Sequence, residues 1–194
     1  MRIELAGTIK HGDAEARNAI QILTGEGLLV QDDIAGSGMP YESFKIEYQQ
    51  QLVDFYSDHP TLFDWAEISE IRDVEKEMEL IFPKSYTEYL AVAGSGNRIH
   101  DQEVEFFPVS KLQGRNKELR KKVKALGTDF YEEIPFVTFA FRNGKYLYFR
   151  LDGGFDPKVY EIKVDEVEDS GLTEPRIVAA SFSEYLNSAI ASYA

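Results

Sequence analysis

The stretch IPFVTFAFRNGKYLYFRL constrains the fold more than any other part of this chain. Val137, Phe139 and Phe141 alternate with Thr138, Ala140 and Arg142. After the turn, Leu147, Phe149 and Leu151 alternate with Tyr146, Tyr148 and Arg150. A two-residue period places each set on one face of a strand. Between the runs stands Asn143-Gly144, the pair best suited to the positive φ angles of a type I′ hairpin turn. The turn DGGFDP then leads into KVYEIKV, so a three-stranded antiparallel meander is expected.

The second strong pattern runs from Asp64 to Gly96. Asp64 and Glu67 have capping-box spacing ahead of a helix whose apolar face carries Ile68, Ile71, Val74, Met78 and Phe82, while acids cover the other face. Pro83 suits the start of a following helix, in which Tyr86, Tyr89, Leu90 and Ala93 form a stripe ended by Gly94 and Gly96. HDQEVEFFPV reads as a further strand, with Asp101, Glu103 and Glu105 on one face and Val104 and Phe106 on the other. KLQGRNKELRKKVK holds seven basic residues and one acidic. It reads as an amphipathic helix with Asn116 as cap, Leu119, Val123 and Leu126 as seam and Gly127 as stop. VDEVEDSGLTEP reads as loop. Ser181 and Glu184 form a capping box before a last helix with Phe182, Leu186, Ala189, Ile190 and Tyr193 on its buried side. The fold class is therefore α+β, an antiparallel sheet packed against N-terminal and C-terminal helices.

Residues 1–60 read as an N-terminal extension packed on a main domain of residues 61–194. In the extension, Ile3 and Leu5 suggest a strand and Asp13 caps a helix through Leu23. Leu28-Leu29-Val30 suggests another strand, and Tyr41, Phe44, Tyr48, Leu52 and Phe55 space as a helix. Helix followed by GEGLLV resembles a winged DNA-binding element, but four basic against ten acidic side chains in this segment oppose phosphate contact. The net charge of −13 over 194 residues argues the same way and suits a basic partner. No cysteine is present, so disulfides and thiolate metal sites are excluded. No apolar leader or membrane-length run appears, and cytoplasmic residence is the expectation.

A resemblance rests on Trp65, Val74-Glu75, Phe82-Pro83, Tyr86, Leu90 and the pair Gly94 and Gly96. This order of a glutamate-bearing helix, an apolar-Pro-x-x-Tyr helix start and a glycine pair resembles the opening signature of the SUKH superfamily. Phe106-Phe107-Pro108-Val109, the strand at 136–139, Val159-Tyr160 and the Ser181–Leu186 helix start fit the same pattern. Phe82, where the family usually has Leu, and Gly94-Ser95-Gly96, where it has Asn-Gly-Gly, depart from it. The superfamily holds yeast-type cell-wall-assembly and glucan-synthesis regulators and many bacterial toxin-immunity proteins.

The resemblance implies a non-catalytic protein-binding domain, first as an immunity protein docking an acidic surface on a toxin, a nuclease by preference. The alternative is a cell-wall or glucan-synthesis type of regulatory interaction protein. Candidate binding residues are Asp101, Glu103, Glu105, Asp165, Glu166, Glu168 and Asp169, with Tyr146 and Tyr148 as aromatic anchors. Glu75 is expected to brace the fold or to bind. A third reading takes Asp152, Glu161 and Lys163 as the Asp…Glu-x-Lys set of an Mg²⁺-dependent nuclease, in which the carboxylates hold the metal and the lysine helps activate water. His11, His59 and His100 stand far apart, so neither a metal site nor a cofactor is expected. The expected partner is another protein, with no membrane and no nucleic acid.

Overall fold

The computed structural model describes residues 45–97, 104–125, 134–152, 154–164 and 175–193. The strand and helix expectations for residues 1–44 lie outside the described residues. So do Leu126, Gly127, and the acids at 101, 103, 165, 166, 168 and 169. In chain order the elements are α1 (Gln50–Asp58), a 3-10 turn (Pro60–Leu62), β1 (Phe63–Asp64), α2 (Ile68–Met78), α3 (Lys84–Ala93), β2 (Gly96–Asn97), β3 (Val104–Phe106) and α4 (Val109–Ala125). They continue as β4 (Phe136–Arg142), β5 (Lys145–Arg150), β6 (Val159–Lys163), β7 (Arg176–Ala179) and α5 (Phe182–Tyr193). The chain is an α+β fold. β3 to β7 form one antiparallel sheet in sequential order, and β1 with β2 makes a two-residue ribbon.

The hairpin forms as its sequence demands. Arg142 faces Lys145 across the turn, and Asn143 and Gly144 take φ of 47° and 80°, the left-handed conformations a type I′ turn needs. The strict alternation fails at one place. Thr138 opposes Tyr148 and Ala140 opposes Leu147, so Phe139 is an extra residue in a β-bulge. Phe139 and Ala140 therefore both reach the larger core, and Phe141 turns instead against Tyr146, with ring centroids 5.1 Å apart.

That larger core lies between one sheet face and α1, α3 and α5. Tyr86, fully buried, is its hub. Its ring meets those of Phe149 at 4.9 Å, Phe182 at 5.3 Å, Phe82 at 5.4 Å, Tyr89 at 5.8 Å and Phe139 at 6.3 Å. Edge-to-face and offset ring pairs of this kind add to the area burial of each aromatic. The opposite face carries a smaller cluster of Phe136, Tyr146, Tyr148, Ile162 and Val164 under Leu119 and Val123 of α4.

Four boundaries differ from the sequence reading, each for a local reason. α2 starts at Ile68 with no side-chain cap, because Asp64 belongs to β1, where it pairs with Gly96 and its carbonyl accepts the Ser95 N–H at 2.8 Å. It ends at Met78, where Glu79 takes φ 56° and the Leu80 N–H returns to the Glu75 carbonyl at 3.0 Å. Pro83 is then the N-cap of α3 rather than its first helical residue, and its carbonyl accepts the Tyr86 and Thr87 N–H groups. α4 begins at Val109, seven residues before Asn116. Asn116 is thus mid-helix and buried, and its Oδ1 accepts the Thr138 N–H at 3.0 Å beside the bulge. The edge strand β7 falls in a stretch for which the sequence suggested no element. Ser181 and Glu184 form half of the expected capping box: the Glu184 N–H bonds Ser181 Oγ, but the Glu184 carboxylate accepts the Ala180 N–H in place of that of Ser181.

Candidate functional site

The carboxylates sort into those that hold loops to helices and those left facing outward. Among the described residues Glu75 and Glu88 are the two buried ones. Glu75 Oε1 accepts the Phe82 N–H at 2.6 Å and Oε2 meets Arg72 Nη1 at 2.5 Å, so it braces the chain just before Pro83. Glu88 accepts three consecutive backbone N–H groups, from Glu47 at 3.0 Å, Tyr48 at 2.8 Å and Gln49 at 3.0 Å. This explains why α1 begins only at Gln50: the preceding amides are turned onto a carboxylate and cannot lie along a helix axis. A Lys84–Glu47 ion pair at 2.7 Å reinforces the contact, and the hydrogen bond from Lys84 lowers the Glu47 pKa.

The DGGFDP turn does similar work. The Phe155 carbonyl accepts the Ser85 N–H at 3.0 Å at the start of α3. Asp156 accepts both the N–H and the Oγ–H of Ser183 at the start of α5. One turn therefore caps two helices, satisfying donors that a helix N-terminus leaves free. Gly94 closes α3 for a steric reason, since a Cβ there would stand 2.3 Å from the Leu90 carbonyl oxygen. At Gly96 a Cβ would lie 3.3 Å from the Asp64 carboxylate.

Of the residues proposed for binding, Glu105 is exposed and lies 3.7 Å from Arg115. Tyr146 and Tyr148 are not surface anchors. They are 3 % and 0 % exposed, because their face of β5 is roofed by α4. The Tyr146 hydroxyl donates to Glu118 Oε1 at 2.7 Å, and Lys122 Nζ stands 5.2 Å from the ring centre. That bond lowers the Glu118 pKa against the opposing effect of partial burial, with Arg115 helping. Burial, then Glu118, raises that of Tyr146.

The Asp152, Glu161 and Lys163 set is spread out. Glu161 opposes Leu147. Asp152 lies in the bend beyond Arg150, the last residue of β5. Glu161 meets Lys145 at 3.0 Å and Arg176 at 3.7 Å. Among the described residues no group of three or more His, Cys, Asp or Glu side chains is placed to hold a metal ion. None of their helices is long and apolar enough to cross a membrane.

What remains outward is charge in rows. On α2, Glu70, Asp73 and Glu77 share one side, Asp73 and Glu77 exposed and Glu70 half-buried, and none has an ion-pair partner among the described residues. On α4, Lys117, Lys121 and Lys124 are exposed and equally unpaired. Among the described residues, Trp65, Ile81, Phe155 and Ile177 are the large apolar side chains left open to solvent.

Of the signature positions, the buried glutamate at 75, the Phe82-Pro83 step, the Tyr86 hub and the tight Gly94 serve the fold, while Trp65 is exposed. A family model described as the SMI1 / KNR4 family (SUKH-1) matches residues 66–188, more than half of the chain. The chain belongs to the SUKH-1 family. A search of curated proteins returns no match. In this SUKH-1 chain the matched segment runs from just before α2 into α5, so it spans the whole five-stranded sheet.

Proposed function

We propose that this SUKH-1 chain is a cytoplasmic, non-catalytic immunity protein that lays an acidic surface over a basic toxin, a nuclease by preference. The observation that carries the reading is the row Glu70, Asp73 and Glu77 on α2, which has no ion-pair partner among the described residues. Like charges three and four residues apart on a helix cost stability. Glu77 also sits near the negative end of the helix dipole. Glu70, in the first turn, suits the positive end of that dipole, so the cost of the row falls on Asp73 and Glu77, whereas a basic partner would gain speed and orientation of encounter from all three. The net charge of −13 extends the same field over the molecule, and Ile81, exposed just beyond the helix, supplies apolar area at its end. The carboxylates that are sequestered are occupied with backbone amides and cations, which supports docking over chemistry.

The test is to find a toxin reading frame adjacent to this gene and co-express the two. Growth should be restored by the wild-type chain and lost with the triple reversal Glu70→Lys, Asp73→Lys, Glu77→Lys. Failure of the wild type to rescue, with no complex between the purified pair, would overturn the proposal.

A further inference from the structure

The cationic row on α4 has the geometry of a second docking surface, opposite in sign to the first. Buried Leu112, Asn116, Leu119 and Val123 follow one another at intervals of four, three and four. Ser110, Gly114, Lys117, Lys121 and Lys124 repeat at four, three, four and three, two residues out of step, and all five are exposed. At 100° per residue the two sets are nearly back to back, so the outer set forms one straight strip about 21 Å long. Of the other cations of the helix, Lys111 is exposed beside Gly114, and the remaining three are engaged. Arg115 bonds Glu118 at 3.0 Å and lies over Phe107, Lys122 reaches Glu118 at 3.5 Å, and Arg120 lies over Phe136. Lys117, Lys121 and Lys124 are exposed without such engagement.

Gly114 is the second, independent observation. A glycine inside a seventeen-residue helix weakens it, yet nothing in the described chain lies within 4 Å of where its Cβ would be. Among the described residues no packing requires the missing side chain. It opens a shallow depression of about 330 Å³ lined by Ser110, Lys111, Gly114 and Arg115. A bare stretch of helix backbone beside a row of lysines lets another helix approach closely at the notch while its acids meet the row.

We propose that the outer strip of α4 docks an acidic helical segment of another protein, seated at Gly114 and paired to Lys117, Lys121 and Lys124. Discrete carboxylates at three- and four-residue spacing match this strip. A continuous polyphosphate would also meet the field of a chain carrying −13. The surface does not depend on the acidic row of α2 or on the immunity reading.

The probe is a labelled helical peptide with glutamates at alternating three- and four-residue spacing, titrated with the full chain by fluorescence anisotropy at low and physiological salt. Saturable, salt-weakened binding is expected. The triple variant Lys117→Glu, Lys121→Glu, Lys124→Glu should lower affinity at least about tenfold, the scale of several exposed ion pairs lost together. Gly114→Leu should also weaken binding while leaving the melting temperature unchanged or higher. Absence of binding, or binding insensitive to the charge reversal, overturns the proposal. Tighter binding of a poly-uridylate oligomer that the same reversal abolishes overturns it too, and assigns the strip to RNA.

Discussion

The two faces of the sheet are built on different principles. One packs Val137, Phe139, Leu147, Phe149 and Val159 against Tyr86, Leu90 and Phe182 in an almost entirely apolar layer. The other carries Tyr146 and Tyr148 under a single helix whose inner side includes Asn116 and whose flank includes Glu118. On the first face, shape and area do the work. On the second, buried polar atoms must each find a partner, so its stability rests on a few bonds rather than on volume.

The comparison predicts a graded set of losses in chemical unfolding. Phe149→Ala on the apolar face should cost about 4 kcal/mol, the usual penalty for deleting a fully buried aromatic ring. A cost near that of a surface substitution would show that this face is not the organising core. Asn116→Ala on the mixed face should cost about 2 kcal/mol, because the Thr138 N–H loses its acceptor while staying buried. Tyr146→Phe should cost about 1 kcal/mol at neutral pH.

This last effect depends on pH in a defined sense. The Glu118 pKa is lowered in the fold, so its contribution is present above about pH 4.3 and is lost as pH falls through the folded value. The Tyr146 pKa is raised, so its contribution is present below about pH 10 and fades as pH rises above that. The difference in melting temperature between wild type and Tyr146→Phe should therefore be widest between about pH 5 and 9 and narrow at both ends. A difference constant across that range would break the assignment of the bond. The smallest expected effect is at the centre of the apolar face. The Tyr86 hydroxyl is buried with no hydrogen-bond partner among the described residues, so Tyr86→Phe should leave stability at neutral pH unchanged or slightly raised. Burial raises the Tyr86 pKa well above its ordinary value, so that group's share of stability is lost as pH climbs beyond about 10, and the variant should lose less there.

The apolar face was legible in the sequence because strand alternation and the Asn143-Gly144 turn are local signals. The mixed face was misread for the opposite reason. Tyr146 and Tyr148 alternate away from the apolar set, and only α4, more than twenty residues earlier in the chain, turns that side into an interior. Asn116 looked like a cap because its side chain suits one, while its actual partner Thr138 is 22 residues away. Glu88 gave no sign at all, since its three amides lie 39 to 41 residues back along the chain. Asp156 sits in a turn where aspartate is expected in any case, and its second role at α5 appears only once the helix is brought beside it. By contrast, the acid row of α2 and the basic row of α4 were readable from spacing, because exposure needs no distant partner.

The central claim is that sequestered carboxylates hold this SUKH-1 fold together and outward ones serve its function. Parallel calorimetry and titration against the proposed basic toxin partner test it most directly, using Glu88→Gln and the triple reversal of Glu70, Asp73 and Glu77. The account predicts that Glu88→Gln lowers the melting temperature sharply and, where still folded, binds as the wild type does. The triple reversal should melt within a few degrees of wild type and bind at least about a hundredfold more weakly, as desolvated charge pairs at interfaces do. Wild-type affinity in the triple reversal, or an unchanged melting temperature in Glu88→Gln, would contradict it.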